Sequence, residues 1–597
     1  MSNRKIIQII CLCLSFSAFG LSGRAEPITN AIHAYLKRFV DSKPIKFGIV
    51  VGLVDEHGSS VVSYGKLDNG TDQDVNGNTV FEMGSVTKTF TALLLQDMID
   101  RGEMKLDDPV AKYLPASVTL PTYNGKALTL FDLATQTSGF PHDPDNYDPK
   151  LADHPFADYS VERMYEYLSH YKLTRAPGTR FGYSNLGVGL LGHLMCLKAG
   201  TNFESFVMDR ICRPLKMDST RITLTPEMKG RFVQPHNPAG YAVPALDFGT
   251  LEGSGALRTT GNDMVKFMSA GLGFPPSGLT SSFEKTQQLH FHDPRANVGL
   301  VWWILQPIPG TTMVFHNGGT GGCSAWIGFD KARRRGVTIL SSWRWFDIDN
   351  FGWYLLHAEW QSDHRPDGKK INRQVLDSYV GQYREPAARS GTAHTNKLPV
   401  IGIRREGDRL VADNKFVEGV WNTWLTAFPD ELLPESETSF FDRLGGCRIA
   451  FSRDALGNVT GLTAHYPGNS FFCEKISNAP PNPPEPVKPI VPVKVDPKVL
   501  EPCVGQYQFP PGPGIPEGGT IAMSQEGGLL VWRATGKNFD TGAIYLYPES
   551  ETNFFMEIYD NAQLTFVKNE RGQATSIIHH VEGVPDKVLK RLPDPMR

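Results

Sequence analysis

The sequence Phe81-Glu-Met-Gly-Ser-Val-Thr-Lys-Thr-Phe90 places Ser85 and Lys88 three residues apart at the start of a predicted helix. Apolar residues recur at helical spacing as far as position 98, and Gly102 follows as a C-terminal stop. Residues three apart share a helix face, so the Lys88 amine can reach the Ser85 hydroxyl. A desolvated lysine could take the serine proton and create a nucleophile. From the stretch alone, a capping serine followed by a surface lysine is the better interpretation, because S-x-x-K occurs often by chance.

Length and composition limit the classes of protein that the chain could be. The 597 residues are too many for one core and predict about three to four domains. A net charge of -3 provides no basic surface, so nucleic acid is not an expected partner. The six cysteines after residue 25 have no close metal-ligand spacing, so we expect no metal site.

The N-terminus has the pattern of an export signal. Arg4 and Lys5 precede an apolar run from Ile6 to Leu21, and the small residues Gly23 and Ala25 follow. We expect cleavage after Ala25 and a periplasmic or secreted mature chain without a stable membrane span. A membrane anchor is the alternative, but the run is short and contains polar residues.

The order of predicted elements gives an α+β architecture. They are a helix over 28–40, a hairpin from 47–54 and 60–64, a mostly helical region from 116 to about 300, strands at 313–315, 324–329 and 336–340, and a helix over 349–360. A sheet built from both ends of this region, with a helical insertion between them, is the expected fold. The long Pro-rich loop Phe140–Pro149 is of the kind that usually serves a site.

An internal repeat follows residue 365. Val375–Tyr383 recurs as Val499–Tyr507, and Pro434–Phe441 recurs as Pro548–Phe555. Short alternating strands in each copy predict a small β-barrel or sandwich. The expected domains are a signal peptide at 1–25, a first domain at 26–365, β-barrel repeat 1 at 366–477, a Pro-rich linker at 478–498 and β-barrel repeat 2 at 499–597.

Two further motifs could complete a site around the serine and lysine. Tyr183 and Asn185 form a Y-x-N in a loop before an apolar helix, where a tyrosine can transfer protons and an amide can hold a substrate carbonyl. His316 begins H-N-G-G between two predicted strands. Gly318 and Gly319 would let a substrate backbone pair closely with the strand and would present amide donors to a developing oxyanion. Each motif alone fits an ordinary loop.

The order of these motifs carries a family resemblance. F-x-x-G-S-x-T-K, L-A-T-x-T-S-G at Leu133–Gly139, Y-S-N and H-N-G-G occur in sequence. This arrangement resembles the penicillin-binding serine hydrolases, in particular the class C β-lactamase-like branch with its DD-carboxypeptidases, AmpH-type DD-endopeptidases, D-aminopeptidases and some esterases. The resemblance covers about residues 27 to 362 and implies an antiparallel sheet flanked by helices with a helical subdomain.

The resemblance implies a role for each matching residue. Ser85 corresponds to the acylated nucleophile, Lys88 to its proton partner and Tyr183 to the base for acylation and deacylation. Asn185 corresponds to the residue that binds the substrate amide, and the backbone amides of Ser85 and Gly319 correspond to the oxyanion hole. No metal or organic cofactor is implied.

One departure from the family pattern bears on the substrate. His316-Asn317-Gly318 stands where the β-lactamases of this branch usually carry K-T-G, so recognition of a substrate carboxylate would be weaker or pH-dependent. H-x-G resembles the DD-peptidase and aminopeptidase members more closely. The two C-terminal repeats look like the lipocalin-like barrels of the D-aminopeptidase type.

The resulting hypothesis is a serine hydrolase that acts on D-amino-acid-containing peptides, such as those of peptidoglycan, through an acyl-enzyme. β-Lactam hydrolysis is the first alternative, and D-aminopeptidase or esterase activity comes next. A penicillin-binding sensor that acylates without turnover is the alternative from another class. The expected partners are therefore a small peptide or β-lactam substrate and possibly peptidoglycan.

Overall fold

A computed structural model describes most of the chain after the N-terminal segment. It describes residues 28–43, 45–146, 156–237, 240–294, 296–305, 312–344, 348–358, 369–384, 386, 400–414, 431–442, 447–466, 469–480, 495–510, 518–526, 529–536, 539–540, 544–556, 559–581 and 584–593. The predicted signal peptide, the boundary at 365 and most of the Pro-rich linker lie outside these residues. In the described part, no helix has the length and apolar character needed to cross a bilayer.

The helices are concentrated in the first 360 residues. The α-helices are α1 Ile28–Asp41, α2 Thr87–Asp100, α3 Leu130–Ala134, α4 Val161–His170, α5 Asn185–Ala199, α6 Phe203–Val207, α7 Pro226–Gly230, α8 Glu252–Gly255, α9 Gly261–Leu272, α10 Thr280–Thr286, α11 Ile348–His357, α12 Arg373–Tyr379 and α13 Pro497–Leu500. Single 3-10 turns lie at Gly84–Val86, Val110–Lys112, Gly249–Leu251 and Glu501–Cys503, and a π turn at Met208–Cys212.

The strands fall into a first group before residue 342 and a second after residue 380. The first group is β1 Gly48–Asp55, β2 Gly58–Gly65, β3 Val80–Glu82, β4 Arg258–Thr260, β5 Phe291–Asp293, β6 Ala296–Val298, β7 Trp303–Leu305, β8 Met313–Gly319, β9 Ser324–Asp330 and β10 Arg335–Ser341. The second group is β11 Gly381–Arg384, β12 Val400–Glu406, β13 Arg409–Asn414, β14 Leu432–Pro434, β15 Ser439–Asp442, β16 Arg448–Arg453, β17 Val459–Tyr466, β18 Asn469–Ser477, β19 Gly505–Phe509, β20 Gly519–Glu526, β21 Leu529–Gly536, β22 Phe539–Asp540, β23 Ile544–Pro548, β24 Asn553–Met556, β25 Tyr559–Lys568, β26 Ala574–Val581 and β27 Val584–Arg591.

One antiparallel sheet joins the two ends of the first domain, which confirms the α+β prediction. Its strand order is β2-β1-β10-β9-β8-β7-β6-β5, and β1 pairs directly with β10 in the register Ile49↔Ser341. The sheet is covered on both faces, which explains why β1 reads as a continuous apolar run. Ile49 packs toward α1 and α11, whereas Val50 on the other face packs in the core that contains α2 and α9.

The sheet extends further than the sequence predicted. Residues 116 to about 300 were expected to be mostly helical, but β5, β6 and β7 lie between 291 and 305 and complete one edge of the sheet. Each has only three residues, too few to display an alternating pattern. These three strands were therefore not predicted, since the pairing of β7 with β8, β6 with β7 and β5 with β6 defines them, and not local propensity.

The two repeats form β-barrels, as the sequence predicted. Strands β11 to β18 close one barrel, named barrel 1. In barrel 2 the β20–β21 pairing closes a ring of eight strands from β19 to β27, with β22 attached to β21. The repeated landmark Pro434–Phe441 lies on β14 and β15, and its copy lies on β23 and β24.

Barrel 1 contacts the first domain through a buried carboxylate. Glu431 is 5% exposed and accepts hydrogen bonds from Arg38 of α1 at 3.3 Å and from Arg409 of β13 at 2.9 Å. Two guanidinium groups from different domains therefore share one carboxylate, which links barrel 1 to α1 of the first domain.

Candidate active site

A tight turn between β3 and α2 presents Ser85. The turn begins at Gly84, whose φ of 47° lies in the left-handed region. A β-carbon at Gly84 would lie 2.7 Å from the Gly319 nitrogen, which is too close for any other side chain. Glycine at this position therefore lets the start of the serine helix approach the end of β8.

Lys88 lies beneath Ser85 and is completely buried. Its Nζ contacts three oxygens: Ser85 Oγ at 2.9 Å, Asn185 Oδ1 at 2.7 Å and the Ser254 carbonyl at 2.7 Å. The carbonyl comes from α8, which packs between α2 and α5. Helix spacing supplies the first contact, as the sequence predicted, whereas the other two come from tertiary packing.

Burial lowers the pKa of Lys88 to about 7, although the nearby Asp143 carboxylate opposes the shift. The Asn185 and Ser254 oxygens can only accept hydrogen bonds, so they fix two N–H groups of the amine. In the neutral amine, the remaining position is a lone pair directed at the Ser85 hydroxyl. The geometry can therefore hold Lys88 as a base toward Ser85.

Tyr183 and Asn185 flank the lysine from the start of α5. Ser184 caps this helix through a 2.9 Å hydrogen bond from Gly187 N, which fixes the residues on either side of it. The Lys88 Nζ lies 4.9 Å from the centre of the Tyr183 ring. Burial raises the pKa of Tyr183, and a hydrogen bond with Ser85 only partly opposes this. Tyr183 is therefore held in its neutral form, next to the serine.

Asp143 is a polar contact of the site that sequence reasoning missed. Its Oδ1 accepts from Asn185 Nδ2 at 2.8 Å, and its Oδ2 lies 2.5 Å from His142 Nδ1. Desolvation opposes its ionisation, but the charge and hydrogen bond of His142 and the hydrogen bond of Asn185 outweigh it and lower the pKa. Asp143 fixes the orientation of the Asn185 amide. The only hint in the sequence was its position in the long loop 140–149, a kind of loop that usually serves a site.

His316 is completely buried at the centre of β8. Its Nδ1 lies 2.6 Å from the Asn317 carbonyl, so Nδ1 carries the proton, and its Nε2 has no hydrogen-bond partner among the described residues. Burial, reinforced by the charge of Lys88, lowers the pKa of His316 to about 3. His316 is therefore neutral at physiological pH.

The register of β8 directs the Gly319 amide away from β9. Thr320 N donates to Cys323 O at 3.0 Å, so Gly319 and Ser324 are the next, non-hydrogen-bonded pair of the ladder. The neighbour β7 pairs with β8 only at residues 313–315, which leaves this edge of β8 open within the described strands. A β-carbon at Gly318 would lie 3.0 Å from Ser85 N. The turn that carries the serine therefore packs directly against this end of β8.

A cation lies beside the same strand. The Arg344 guanidinium lies against the α-carbon of Gly319, where any side chain would clash with it. Arg344 follows β10, and its backbone nitrogen donates to His236 O at 2.8 Å. Sequence reasoning missed this residue because only the tertiary fold brings β10 and the end of β8 together.

The structure thus brings together all seven residues singled out from the sequence. Ser85, Lys88, Tyr183 and Asn185 are linked by direct contacts, and β8 contributes His316 and the two glycines listed with it, Gly318 and Gly319. In the described part of the chain, no group of three or more His, Cys, Asp or Glu side chains is arranged to hold a metal ion. A serine with a buried amine and an open strand edge can carry out acyl transfer.

Comparison with known proteins identifies the family of the domain that carries this site. The family model described as Beta-lactamase matches residues 37–349. The D-alanyl-D-alanine-carboxypeptidase/endopeptidase AmpH of Escherichia coli K12 is 29% identical over 293 residues, 46% of this chain and 74% of its own length. A Beta-lactamase of Pseudomonas fluorescens is 26% identical over 335 residues, 49% of this chain and 88% of its own.

A solved structure covers the same region. The class C beta lactamase from Rhodobacter sphaeroides aligns with 53% of this chain and 95% of its own length, at 23% identity and a TM-score of 0.47. The family model covers more than half of the chain, including every residue of the site described above. The chain belongs to the beta-lactamase family and is a serine hydrolase.

Proposed function

We propose that this protein is an exported serine hydrolase that cleaves D-amino-acid-containing peptides, such as those of peptidoglycan, through an acyl-enzyme. The contact between Lys88 Nζ and Ser85 Oγ carries the proposal, because it supplies a nucleophile and a base in one buried unit. The name of the AmpH relative supports a D-alanyl peptide as substrate. The pattern of residues 1–25 supports export.

Acylation begins at Ser85. Its Oγ attacks the scissile carbonyl carbon while its proton passes to the neutral Lys88 amine, and the carbonyl oxygen becomes an oxyanion facing the amides of Ser85 and Gly319. The C–N bond then breaks, and the leaving amine takes the proton from Lys88 through the Tyr183 hydroxyl. The sequence suggested Tyr183 itself as the base, but its raised pKa favours Lys88 in that role.

Deacylation reverses the proton transfers. Water attacks the ester carbonyl, its proton moves through Tyr183 to Lys88, and the C–O bond breaks as Ser85 Oγ takes a proton back. The products are a carboxylic acid and the free enzyme. Asn185 holds Lys88 through Oδ1 and keeps one of its two amide N–H groups available for the substrate.

Labelling and turnover can be measured side by side to test the proposal. The mature protein is incubated with a fluorescent penicillin, a chromogenic cephalosporin, a D-Ala-D-Ala peptide and a p-nitrophenyl ester. We expect labelling and peptide cleavage that Ser85→Ala abolishes, whereas the exposed control Ser59→Ala keeps both. Equal activity in Ser85→Ala would disprove the nucleophile assignment. Fast cephalosporin turnover would favour a β-lactamase, and stable labelling without turnover a sensor.

A second candidate is a D-aminopeptidase, which the Asp143 carboxylate favours. Asp143 accepts a hydrogen bond from Asn185, the residue expected to bind the acyl side of the substrate. The Asp143 side chain is 29% exposed. A carboxylate only accepts hydrogen bonds and therefore favours an ammonium group next to the scissile bond. We expect D-alanine p-nitroanilide to be cleaved faster than its N-acetyl derivative, and Asp143→Asn to remove this preference. Preference for the acetylated substrate would exclude this candidate.

A further inference from the structure

The two barrels can be compared residue by residue through their strand registers. In barrel 1, Ile449 on β16 pairs with Ala464 on β17. In barrel 2, Leu564 on β25 pairs with His579 on β26. Ile449 and Leu564 are both completely buried and both face the phenylalanine of the repeated landmark, Phe440 or Phe554. His579 therefore occupies the interior position that Ala464 occupies in barrel 1.

A second interior position differs in the same way. Leu410 pairs with Leu432 in barrel 1, and Leu530 pairs with Leu546 in barrel 2. Two residues further along the same strands, Ala412 corresponds to Trp532. The fold thus accommodates alanine at both positions in barrel 1, whereas barrel 2 carries a tryptophan and a histidine. The barrel architecture does not itself require these two side chains.

The histidine of barrel 2 lacks hydrogen-bond partners. His579 is 6% exposed, and neither ring nitrogen has a hydrogen-bond partner among the described residues. Burial, reinforced by the charges of Lys587 and His580, lowers its pKa to about 4, so the ring is neutral. A neutral imidazole has one N–H donor and one acceptor nitrogen to satisfy. Buried polar side-chain atoms usually have a hydrogen-bond partner, so the two ring nitrogens of His579 require an explanation.

An aromatic ring and a cation lie beside His579. The ring centres of Trp532 and His579 are 6.0 Å apart. Lys587 on β27 pairs directly with His579, so both side chains lie on the same face of the sheet. Lys587 is only partly buried, whereas His579 is buried.

The opposite end of barrel 2 is closed by the segment that precedes β19. Arg591 donates to Pro502 O at 3.0 Å and to Ala574 O at 3.3 Å, and Tyr507 donates to Cys503 O at 2.8 Å. These contacts cover the end where β26 begins and β27 finishes. His579 and Lys587 lie toward the other end, near the turn that joins these two strands.

We propose that barrel 2 binds a small aromatic carboxylate at the end of its interior formed by Trp532, His579 and Lys587. The ring of the ligand packs on Trp532, one carboxylate oxygen accepts the imidazole N–H, and the Lys587 ammonium balances the charge. Eight-stranded barrels of this kind can hold one small ligand among their interior side chains. This site is separate from Ser85 and does not depend on the proposed reaction.

Calorimetric titration of the full chain with naphthalene-2-carboxylate, next to the uncharged naphthalene-2-methanol, tests the proposal. We expect one site per chain that prefers the carboxylate, and at least about tenfold weaker binding in His579→Ala and in Trp532→Ala. These substitutions install the alanines that barrel 1 already carries. The matched control is His580→Ala, since His580 points outward to Thr565 at 3.1 Å and Asp586 at 2.9 Å and should change the affinity less than twofold.

The signal of the His579 ring in nitrogen NMR spectra provides a second measurement that needs no variant. Addition of the carboxylate should shift this signal and leave that of His580 in place. Labelling of Ser85 by a fluorescent penicillin should be equal in all three variants. Absence of binding to the wild type, or a loss in His580→Ala equal to that in His579→Ala, would overturn the proposal.

Discussion

The rate of Ser85 acylation should rise with pH and level off above pH 7, because Lys88 accepts the serine proton only when neutral. Burial lowers the pKa of Lys88 from 10.5 to about 7. With that value, about one tenth of the molecules carry the neutral amine at pH 6 and about nine tenths at pH 8. The second-order rate constant for labelling by a fluorescent penicillin should therefore increase about tenfold between these pH values and then stay constant.

An unshifted lysine would give a different profile. With a pKa of 10.5, the rate would increase about tenfold for every pH unit up to pH 10. The shift corresponds to about 5 kcal/mol that burial imposes on the charged amine. The folded protein binds fewer protons than the unfolded chain between pH 7 and 10.5, so this group makes the fold more stable as the pH rises through that range.

The profile is measured by stopped-flow labelling between pH 5.5 and 10 at constant ionic strength. Glu252 requires a control, because desolvation, with smaller effects of Glu204 and Asp247, raises its pKa to about 7 as well. Glu252→Gln should keep the rise in rate, whereas Lys88→Met should abolish labelling. A rise that disappears in Glu252→Gln, or one that continues to pH 10, would refute the assignment of Lys88 as the base.

Three further predictions concern the residues around the serine. Gly84→Ala should lower the melting temperature and slow labelling at least about tenfold, because alanine in the left-handed conformation costs about 1–2 kcal/mol and its β-carbon clashes with Gly319. Unchanged labelling would contradict this. The KM for a peptide with a free C-terminal carboxylate should be constant between pH 5 and 7, since the pKa of His316 is lowered to about 3; a fall in KM toward pH 5 would indicate a charged histidine. Arg344→Gln should raise that KM about tenfold and leave the amidated peptide unaffected, and equal effects on both peptides would show that Arg344 does not bind the carboxylate.

Much of the fold could be predicted because its signals are local. The apolar run of β1 and the Asp55–Gly58 turn give a hairpin directly, and the duplicated Pro434–Phe441 landmark shows that two similar domains follow. Strands β5 to β7 could not be predicted in this way. They exist because β7 pairs with the edge of β8, and β6 and then β5 extend the sheet from β7. Three residues are too few to carry a pattern.

In the candidate active site, too, only the contact that depends on local sequence could be predicted. The contact of Lys88 with Ser85 follows from helix spacing, so the sequence was sufficient to predict it. The Ser254 carbonyl has no residue signature, since every residue carries such an oxygen. Asp143 was hidden for another reason: nothing in its Pro-rich loop indicates which carboxylate turns toward Asn185.

These differences explain why the reaction class is easier to predict than the substrate. In the proposed mechanism Lys88 is a base because α5 and α8 bury it and supply two fixed acceptors, and that arrangement does not depend on the substrate. We expect the choice among substrates to depend on two charged groups near the site, the Asp143 carboxylate bound to Asn185 and the Arg344 cation beside Gly319. With a neutral His316 on that strand, a substrate carboxylate gains no charge from the H-x-G motif itself. The His316 motif therefore leaves recognition of charge to these two residues, one favouring an ammonium group and the other a carboxylate.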